Sequence, residues 1–212
     1  MLNFEKKKVL VLAPHTDDGE LGCGGTIAKL IENGNDVYCA AFSACQQSVL
    51  KDFPSDILIT EVKAAAKILG IKPENLFLYD FQVRTFGYKR QEILDKLIEL
   101  KNKLNPDVVF IPSASDLHQD HSTIANEGLR AFKQCTVLSY EIPWNNISFN
   151  TSCFVQLEQR HLDAKVRAIL EYKSQAHRSY VNGDFIKSLA SVRGVQVGVT
   201  YAETFDVVRL IL

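Results

Sequence analysis

Short apolar runs alternate with segments of helical periodicity along most of the chain. The segment from Lys8 to Ala13 is continuously apolar after its first residue, as is typical of a central parallel strand that is covered on both faces. Similar runs predict strands at 36–42, 76–79, 107–112 and 136–140, and helical spacing predicts helices at 26–32, 55–69, 90–104 and 122–132. This alternation predicts an α/β fold that is Rossmann-like and three-layered, with a mainly parallel sheet.

The pattern weakens after about Trp144. Strands are still predicted at 154–157 and 203–210, and helices at 160–172 and 185–192. We interpret this last third as helices and strands added to the same sheet. Residues 1–212 are therefore expected to form a single domain.

Composition and charge narrow the functional classes. The 212 residues are 46% hydrophobic and 23% charged, as in ordinary globular proteins, and the formal net charge is -1. Because the basic residues are scattered, no nucleic-acid partner is expected. No segment approaches the roughly 20 apolar residues of a membrane span. The five cysteines are odd in number and far apart, which disfavours a disulfide framework and favours the cytoplasm.

A first polar cluster follows the first strand. It contains His15, Asp17 and Asp18, at the carboxyl end of a strand, where α/β sheets bind their ligands. Histidine and carboxylate are good zinc ligands, and adjacent carboxylates repel one another unless a cation is nearby. We expect an extended loop here, in which Asp17 and Asp18 point in different directions and do different jobs.

Three glycines, Gly22, Gly24 and Gly25, follow this cluster and are expected to form a tight turn into the first helix. The alternative is a phosphate-binding turn of a nucleotide-binding protein. The spacing is not GxGxxG, and the acidic residues of the loop, Glu20 among them, would repel a pyrophosphate.

A second polar cluster follows the fourth strand and contains His118, Asp120 and His121. Three of the five histidines therefore lie directly after predicted strands, which favours a shared metal site. A catalytic zinc needs three protein ligands and one open position. One ligand from this cluster and two from the first would supply them.

The two clusters resemble the motifs of the LmbE-like, or PIG-L, N-deacetylase family. That family has a His-Pro-Asp-Asp loop before a glycine-rich turn and a His-x-Asp-His element after a later strand. Here they read His15-Thr16-Asp17-Asp18 and His118-Gln119-Asp120-His121, and the resemblance spans the first two-thirds of the chain. Thr16 replaces the usual proline. Gly19 stands where many members have glutamate, and Glu20 is assigned no catalytic role.

The resemblance implies a role for each matched residue. His15, Asp18 and His121 would bind zinc, with Fe2+ or Co2+ as other possibilities. Asp17 would be the general base that takes a proton from water. His118 would polarise the amide carbonyl, and Asp120 would hydrogen-bond His118 and favour its charged form.

The resemblance also implies an activity, the hydrolysis of an N-acetyl group on an amino sugar or a sugar-containing small molecule, and it makes a homo-oligomer an expectation. One alternative is a metal-dependent hydratase of a small unsaturated keto acid, for which Arg84, Lys89 and Arg90 are the candidate carboxylate-binding residues. Another alternative is a sugar-nucleotide binding module without catalysis.

Several residues outside the motifs are also candidates for the pocket. The segment 43–48 is either a pocket wall or a solvated loop, and Cys45 within it has no base placed to activate it. Glu141 follows the fifth strand and is either a substrate contact or a structural residue. The remaining candidates are Gln175 and His177 for the rim, and Trp144 and Phe149 for a lid, a sugar-stacking surface or simple packing.

Overall fold

A single seven-stranded sheet runs through the computed structural model, which describes residues 6–211. The strands are β1 (Lys8–His15), β2 (Asp36–Ser43), β3 (Leu76–Leu78), β4 (Val108–Pro112), β5 (Thr136–Tyr140), β6 (Cys153–Leu157) and β7 (Tyr201–Arg209). Their order across the sheet is β3-β2-β1-β4-β5-β7-β6. Neighbours among the first five are parallel, while β7 is antiparallel to both β5 and β6. The predicted mainly parallel α/β sheet is confirmed.

Helices cover both faces of this sheet. They are α1 (Asp18–Glu32), α2 (Ile57–Leu69), α3 (Arg90–Leu104), α4 (Gln119–Ala131), α5 (Gln159–Leu170) and α6 (Gly183–Val195). Successive residues of β1 alternate between the two cores: Val9 and Val11 pack with α1, α2, α5 and α6, whereas Leu10 and Leu12 pack with α3 and α4. This alternation produces the three layers that the apolar runs predicted.

Helix α1 begins earlier than predicted. It starts at Asp18, inside the first polar cluster, so the expected extended loop and glycine turn are wrong. The glycines instead allow close helix packing. A Cβ atom at Gly22 would lie 2.3 Å from the Tyr140 ring, and one at Gly25 would lie 2.5 Å from Leu157.

Helix α1 is also kinked at Cys23, whose φ of -145° is not helical. A buried ion pair from the last third of the chain hydrogen-bonds backbone groups on both sides of the kink. Lys165 Nζ donates to the Leu21 carbonyl at 2.7 Å and to Glu203 Oε1 at 2.6 Å. Glu203 in turn accepts the backbone N–H groups of Gly25 and Thr26 at 3.0 and 2.6 Å. This ion pair fixes the part of α1 that follows the first motif.

Two further sequence expectations concern the surroundings of the protein. Within residues 6–211, no helix is both long and apolar enough to cross a membrane. All five cysteines carry free thiols, as expected of a chain without a disulfide framework.

Candidate active site

The two predicted clusters meet at the carboxyl ends of β1 and β4. The strand order reverses between these strands, because β2 follows on one side of β1 and β5 on the other side of β4. Such a switch point opens a crevice above the sheet. His15 is the last residue of β1, Asp18 is the first of α1, and His121 lies in the first turn of α4.

Three donor atoms in this crevice form a nearly equilateral triangle. His15 Nδ1 lies 3.2 Å from Asp18 Oδ2 and 3.2 Å from His121 Nε2. The third side, from His121 Nε2 to Asp18 Oδ2, is also 3.2 Å. Two ligands of a tetrahedral zinc, bonded at about 2.0–2.1 Å, are about 3.3 Å apart. The spacing and the chemistry of these donors therefore fit a zinc-sized cation.

His118 completes a cluster of three histidines. One ligand atom from each of His15, His118 and His121 can be chosen so that all three lie within 4.8 Å of one another. This spacing is looser than the triangle that includes Asp18. We therefore favour Asp18 over His118 as the third ligand, in agreement with the set implied by the family resemblance.

Each histidine of the triangle has a carboxylate partner for its other ring nitrogen. Asp120 Oδ2 lies 3.1 Å from His15 Nε2, and Asp116 Oδ2 lies 2.8 Å from His121 Nδ1. A carboxylate in this position fixes the ring and makes it a better ligand. Asp116 was not singled out from the sequence, although it lies only two residues before His118.

The structure corrects the predicted role of Asp120. Its carboxylate contacts His15 rather than His118, and it also accepts the backbone N–H of Arg84 at 2.6 Å and of Phe86 at 3.3 Å. His118 is the N-cap of α4, and its Nδ1 accepts the backbone N–H of Asp120 at 3.2 Å. The Asp120 side chain consequently points away from His118, toward β1.

The pKa values show that the triangle attracts positive charge. Burial by itself lowers the pKa of His15, but hydrogen bonds to Asp120 and Asp18 outweigh it and raise the pKa to about 9. Burial is likewise outweighed at His121, where Asp18 and Asp116 raise the pKa to about 10. The two histidines hold the pKa of Asp18 well below its usual range despite burial. Without a metal, bound protons balance the carboxylates, and a divalent cation can replace them.

Three other ionisable groups near the triangle also have shifted pKa values. Burial and then the neighbouring Asp18 raise the pKa of Asp17 to about 6. Burial raises the pKa of Glu20 to about 8, and its Oε2 has no hydrogen-bond partner among the described residues. The pKa of His118 is lowered by burial and by His15 and His121, which contradicts the expectation of a charged His118.

A cavity of about 300 Å³ opens above the triangle. Its lining includes both motifs, with His15, Asp17, Asp18, His118 and His121, and residues from other segments: Cys45, Ser48, Val83, Arg84, Trp144, Asn145, Gln175, Arg178 and Tyr180. A larger groove of about 910 Å³ lies at the opposite end of the sheet, but among the described residues its lining has one carboxylate side chain, that of Asp107, and no histidine. The smaller cavity is therefore the candidate active site.

The weaker sequence candidates divide between the cavity and the rest of the molecule. Cys45, Trp144 and Gln175 line the cavity, and burial raises the pKa of the Cys45 thiol, so nothing activates it. Glu141 is buried in an ion pair with Arg193 at 2.6 Å and has a structural role. Neither His177 nor Phe149 is part of the cavity lining.

Arg178 and Tyr180 are cavity residues that the sequence analysis missed. They lie between α5 and α6, where no periodicity marks them, and they approach the site because α5 packs on α1 and α2. Trp144 stacks on Tyr180 with ring centroids 4.0 Å apart and an angle of 6° between the rings.

The basic residues expected for a hydratase separate in the structure. Arg84 lines the cavity. Lys89 pairs with Glu92 at 2.7 Å, and Arg90 pairs with Glu127 at 2.6 Å. Two of the three candidate carboxylate-binding residues are thus engaged elsewhere. The glycines are packed inside α1, so they do not form the phosphate-binding turn that the binding-module alternative requires.

A Rossmann-like sheet that carries a His/Asp donor triangle at its switch point defines the class of protein. The chain belongs to the PIG-L family: its residues 10–132 match the family model described as GlcNAc-PI de-N-acetylase.

Two curated relatives share this family resemblance. The Escherichia coli protein described as uncharacterized deacetylase YaiS is 28% identical over 80% of this chain and 92% of its own length. The diacetylchitobiose deacetylase of Thermococcus kodakarensis is 25% identical over 93% of this chain and 81% of its own.

Solved structures share the fold over almost the whole chain. The conserved protein TT1542 of Thermus thermophilus has a TM-score of 0.80 and 26% identity, covering 97% of this chain and 96% of that one. The 4-carboxy-2-hydroxymuconate hydratase GalB of Pseudomonas putida has a TM-score of 0.79 over 97% of this chain and 98% of that one. At 20% identity, its likeness concerns the fold alone.

Proposed function

We propose that this protein is a metal-dependent N-deacetylase that hydrolyses the N-acetyl group of an amino sugar. The observation that carries the proposal is the 3.2 Å triangle of His15, Asp18 and His121 donors beside Asp17 and His118. Membership of the PIG-L family and the deacetylases among its relatives support the same reaction.

In this proposal His15, Asp18 and His121 hold the metal, preferably zinc, with Fe2+ or Co2+ as alternatives. When bound, the ion acts as a Lewis acid that acidifies water and polarises the amide carbonyl. Asp116 orients His121 and Asp120 orients His15, each through the ring nitrogen that is not part of the donor triangle.

Asp17 is the proposed proton carrier. Its side chain lines the cavity, and its pKa of about 6 leaves it ionised at neutral pH yet able to hold a proton. It takes a proton from water as the water attacks the carbonyl carbon. It then returns that proton to the nitrogen, because the amine leaves only when protonated.

His118 is the proposed hydrogen-bond donor to the carbonyl oxygen. Its Nδ1 accepts the Asp120 backbone N–H, so the proton of the neutral ring is on Nε2. The lowered pKa keeps the ring neutral at pH 7. A donor fixed in this way stabilises the negative charge that develops on the oxygen.

The cavity favours a small sugar as the acyl carrier. About 300 Å³ is the lower end of the range for small-molecule sites. The stacked Trp144 and Tyr180 supply an apolar wall for the C–H face of a sugar ring, and Ser48 and Gln175 supply polar groups for hydroxyls.

The test is acetate release from N-acetylglucosamine derivatives by zinc-loaded protein, with wild type beside Asp17→Asn. We expect the substitution to lower kcat by about 10²–10⁴-fold, because it removes general acid-base catalysis. Zinc content, measured by elemental analysis, should stay at about one per chain, since Asp17 is not a proposed ligand. His121→Ala should lose the metal, and the exposed Asp52→Asn serves as the matched control.

Full activity in Asp17→Asn would overturn the mechanism. Hydration of an unsaturated keto acid without acetate release would favour the hydratase alternative. Absence of bound metal after incubation with zinc would remove both enzymatic proposals and leave a binding module.

We further propose a cytoplasmic protein with one domain over residues 1–212. The free thiols of the five cysteines are consistent with a reducing compartment. A homo-oligomer stays a prediction, to be tested by light scattering on the purified protein.

A further inference from the structure

Two arginines from distant parts of the chain contribute to the exposed edge of the cavity. Arg84 lies between β3 and α3, and Arg178 lies between α5 and α6. Both side chains line the same cavity as Asp17 and His118. Both are exposed, whereas the donor triangle below them is buried.

Neither guanidinium has a charged partner among the residues that the structure describes. Within residues 6–211, no carboxylate oxygen lies within 4.0 Å of the side-chain nitrogens of Arg84 or Arg178. The Arg84 side chain has one long hydrogen bond, 3.4 Å from its NH2 group to Ser48 Oγ. By contrast, Arg160 and Arg193 are each paired with glutamates. Cations that line a cavity and lack a partner are available to a ligand.

The backbone of Arg84 shows that its position is fixed by the site itself. Its φ of 69° is in the left-handed region, which a non-glycine residue adopts at a cost. Asp120 holds this conformation by accepting the backbone N–H groups of Arg84 and Phe86, and the same carboxylate contacts His15. Asp120 therefore links the segment that carries Arg84 to His15, a proposed metal ligand.

We infer that the natural substrate carries an anionic group, a phosphate or a carboxylate, and that Arg84 and Arg178 bind it. This inference rests on the proposed deacetylase function and specifies its substrate class. Guanidinium groups bind the oxygens of both anions with paired hydrogen bonds. Since both arginines are exposed and the donor triangle is buried, the anion is on the side of the sugar away from the acetamido group.

The arginines are therefore binding residues and not catalytic ones. Contacts to a part of the substrate that does not react act equally in the ground state and the transition state, so their loss raises KM and leaves kcat for the anionic substrate nearly constant. This pattern separates them from Asp17, whose loss lowers kcat.

The test compares three probes with zinc-loaded protein: neutral N-acetylglucosamine, N-acetylglucosamine 1-phosphate and N-acetylmuramic acid. We expect wild type to prefer at least one charged probe by about tenfold or more in kcat/KM, as hydrogen bonds to charged groups imply. The preferred probe identifies the anion as phosphate or carboxylate. Increasing salt should reduce the preference, because the contacts are exposed.

The variants are Arg84→Gln and Arg178→Gln, with Arg167→Gln as the control, an exposed arginine on α5 that is not part of the cavity. Each cavity variant should lower the ratio of charged to neutral kcat/KM by about tenfold, through KM. The control should keep the wild-type ratio. Calorimetric binding of the same probes to Asp17→Asn protein, alone and combined with each arginine variant, gives a second readout without turnover.

Equal kcat/KM for charged and neutral probes, or an equal loss for both in the arginine variants, would overturn the inference while the deacetylase stands. Release of no acetate from any probe, with charged probes still bound through the arginines, would instead overturn the proposed function.

Discussion

Asp116 gives the clearest case of a single side chain that organises the candidate site. Its Oδ2 contacts His121 Nδ1 at 2.8 Å, and its Oδ1 accepts the backbone N–H of His118 at 2.8 Å. One carboxylate therefore sets both the ring orientation of a proposed ligand and the start of α4. It is itself almost inaccessible to solvent, so water cannot take over its contacts.

We expect Asp116→Asn to weaken zinc binding by about 10–100-fold, because a carboxylate behind a ligating histidine orients the ring and raises its basicity. Competition with a chromophoric chelator measures this change. The exposed Asp52→Asn is the matched control, and circular dichroism confirms that the variant is folded. Wild-type zinc affinity in Asp116→Asn would show that this contact does not support the metal site.

At the scale of elements, the contact of α1 with β5 brings the first motif over the sheet. Gly22 lies against the ring of Tyr140, which is fully buried and donates its hydroxyl to the Leu12 carbonyl at 2.9 Å. The ring cannot retreat without breaking this hydrogen bond. The distance between α1 and the sheet therefore depends on the absence of a side chain at residue 22.

Gly22→Ala is expected to destabilise the protein by about 1–3 kcal/mol through overpacking. Urea unfolding of the metal-free protein measures the loss. Gly87→Ala is the control, because a Cβ atom there meets nothing within 4 Å, and it should stay within about 0.5 kcal/mol of wild type. Equal midpoints for the two variants would mean that α1 adjusts freely over Tyr140.

At the scale of the whole molecule, the charge of the site links folding to pH and to metal. His15 and His121 have folded pKa values of about 9 and 10, above the unfolded value of 6.5. Between these values the folded state binds more protons than the unfolded state, so stability falls as pH rises. Glu20, with a folded pKa of about 8 against 4.5, acts in the same direction.

In the metal-free protein, the contribution of the two histidines to stability should be fully present below pH 6.5, and the Tm should fall as the pH rises from 6.5 toward about 10. Zinc-saturated protein should lose less Tm over the same range, because the ion replaces the histidine protons. Scanning calorimetry of both forms measures the difference. A Tm of the metal-free form that rises or stays constant over this range would contradict the shifted pKa values.

The strands and the two motifs could be predicted because each depends on local sequence. A continuous apolar run such as 9–13 identifies a buried strand, and the residues that follow it must lie at the edge of the sheet. The start of α1 could not be predicted in this way. Four glycines between residues 19 and 25 disfavour a helix, and packing against Tyr140 and Leu157 overrides that preference.

The remaining parts of the site depend on contacts between distant segments. Arg178 and Tyr180 reach the cavity only through the packing of α5 on α1 and α2. The prediction that Asp120 hydrogen-bonds His118 was wrong for a similar reason. The direction of the Asp120 side chain depends on His118 being the N-cap of α4. No spacing in the sequence contains this information.

The ion pair of Lys165 and Glu203 has a consequence for biosynthesis. Glu203 accepts the N–H of Thr26, 177 residues earlier in the chain. The ribosome therefore makes the first motif long before it makes the carboxylate that secures the helix behind that motif. A nascent chain that ends before residue 201 carries both histidine motifs without this support. We expect the proposed metal to be acquired only after β7 has been synthesised.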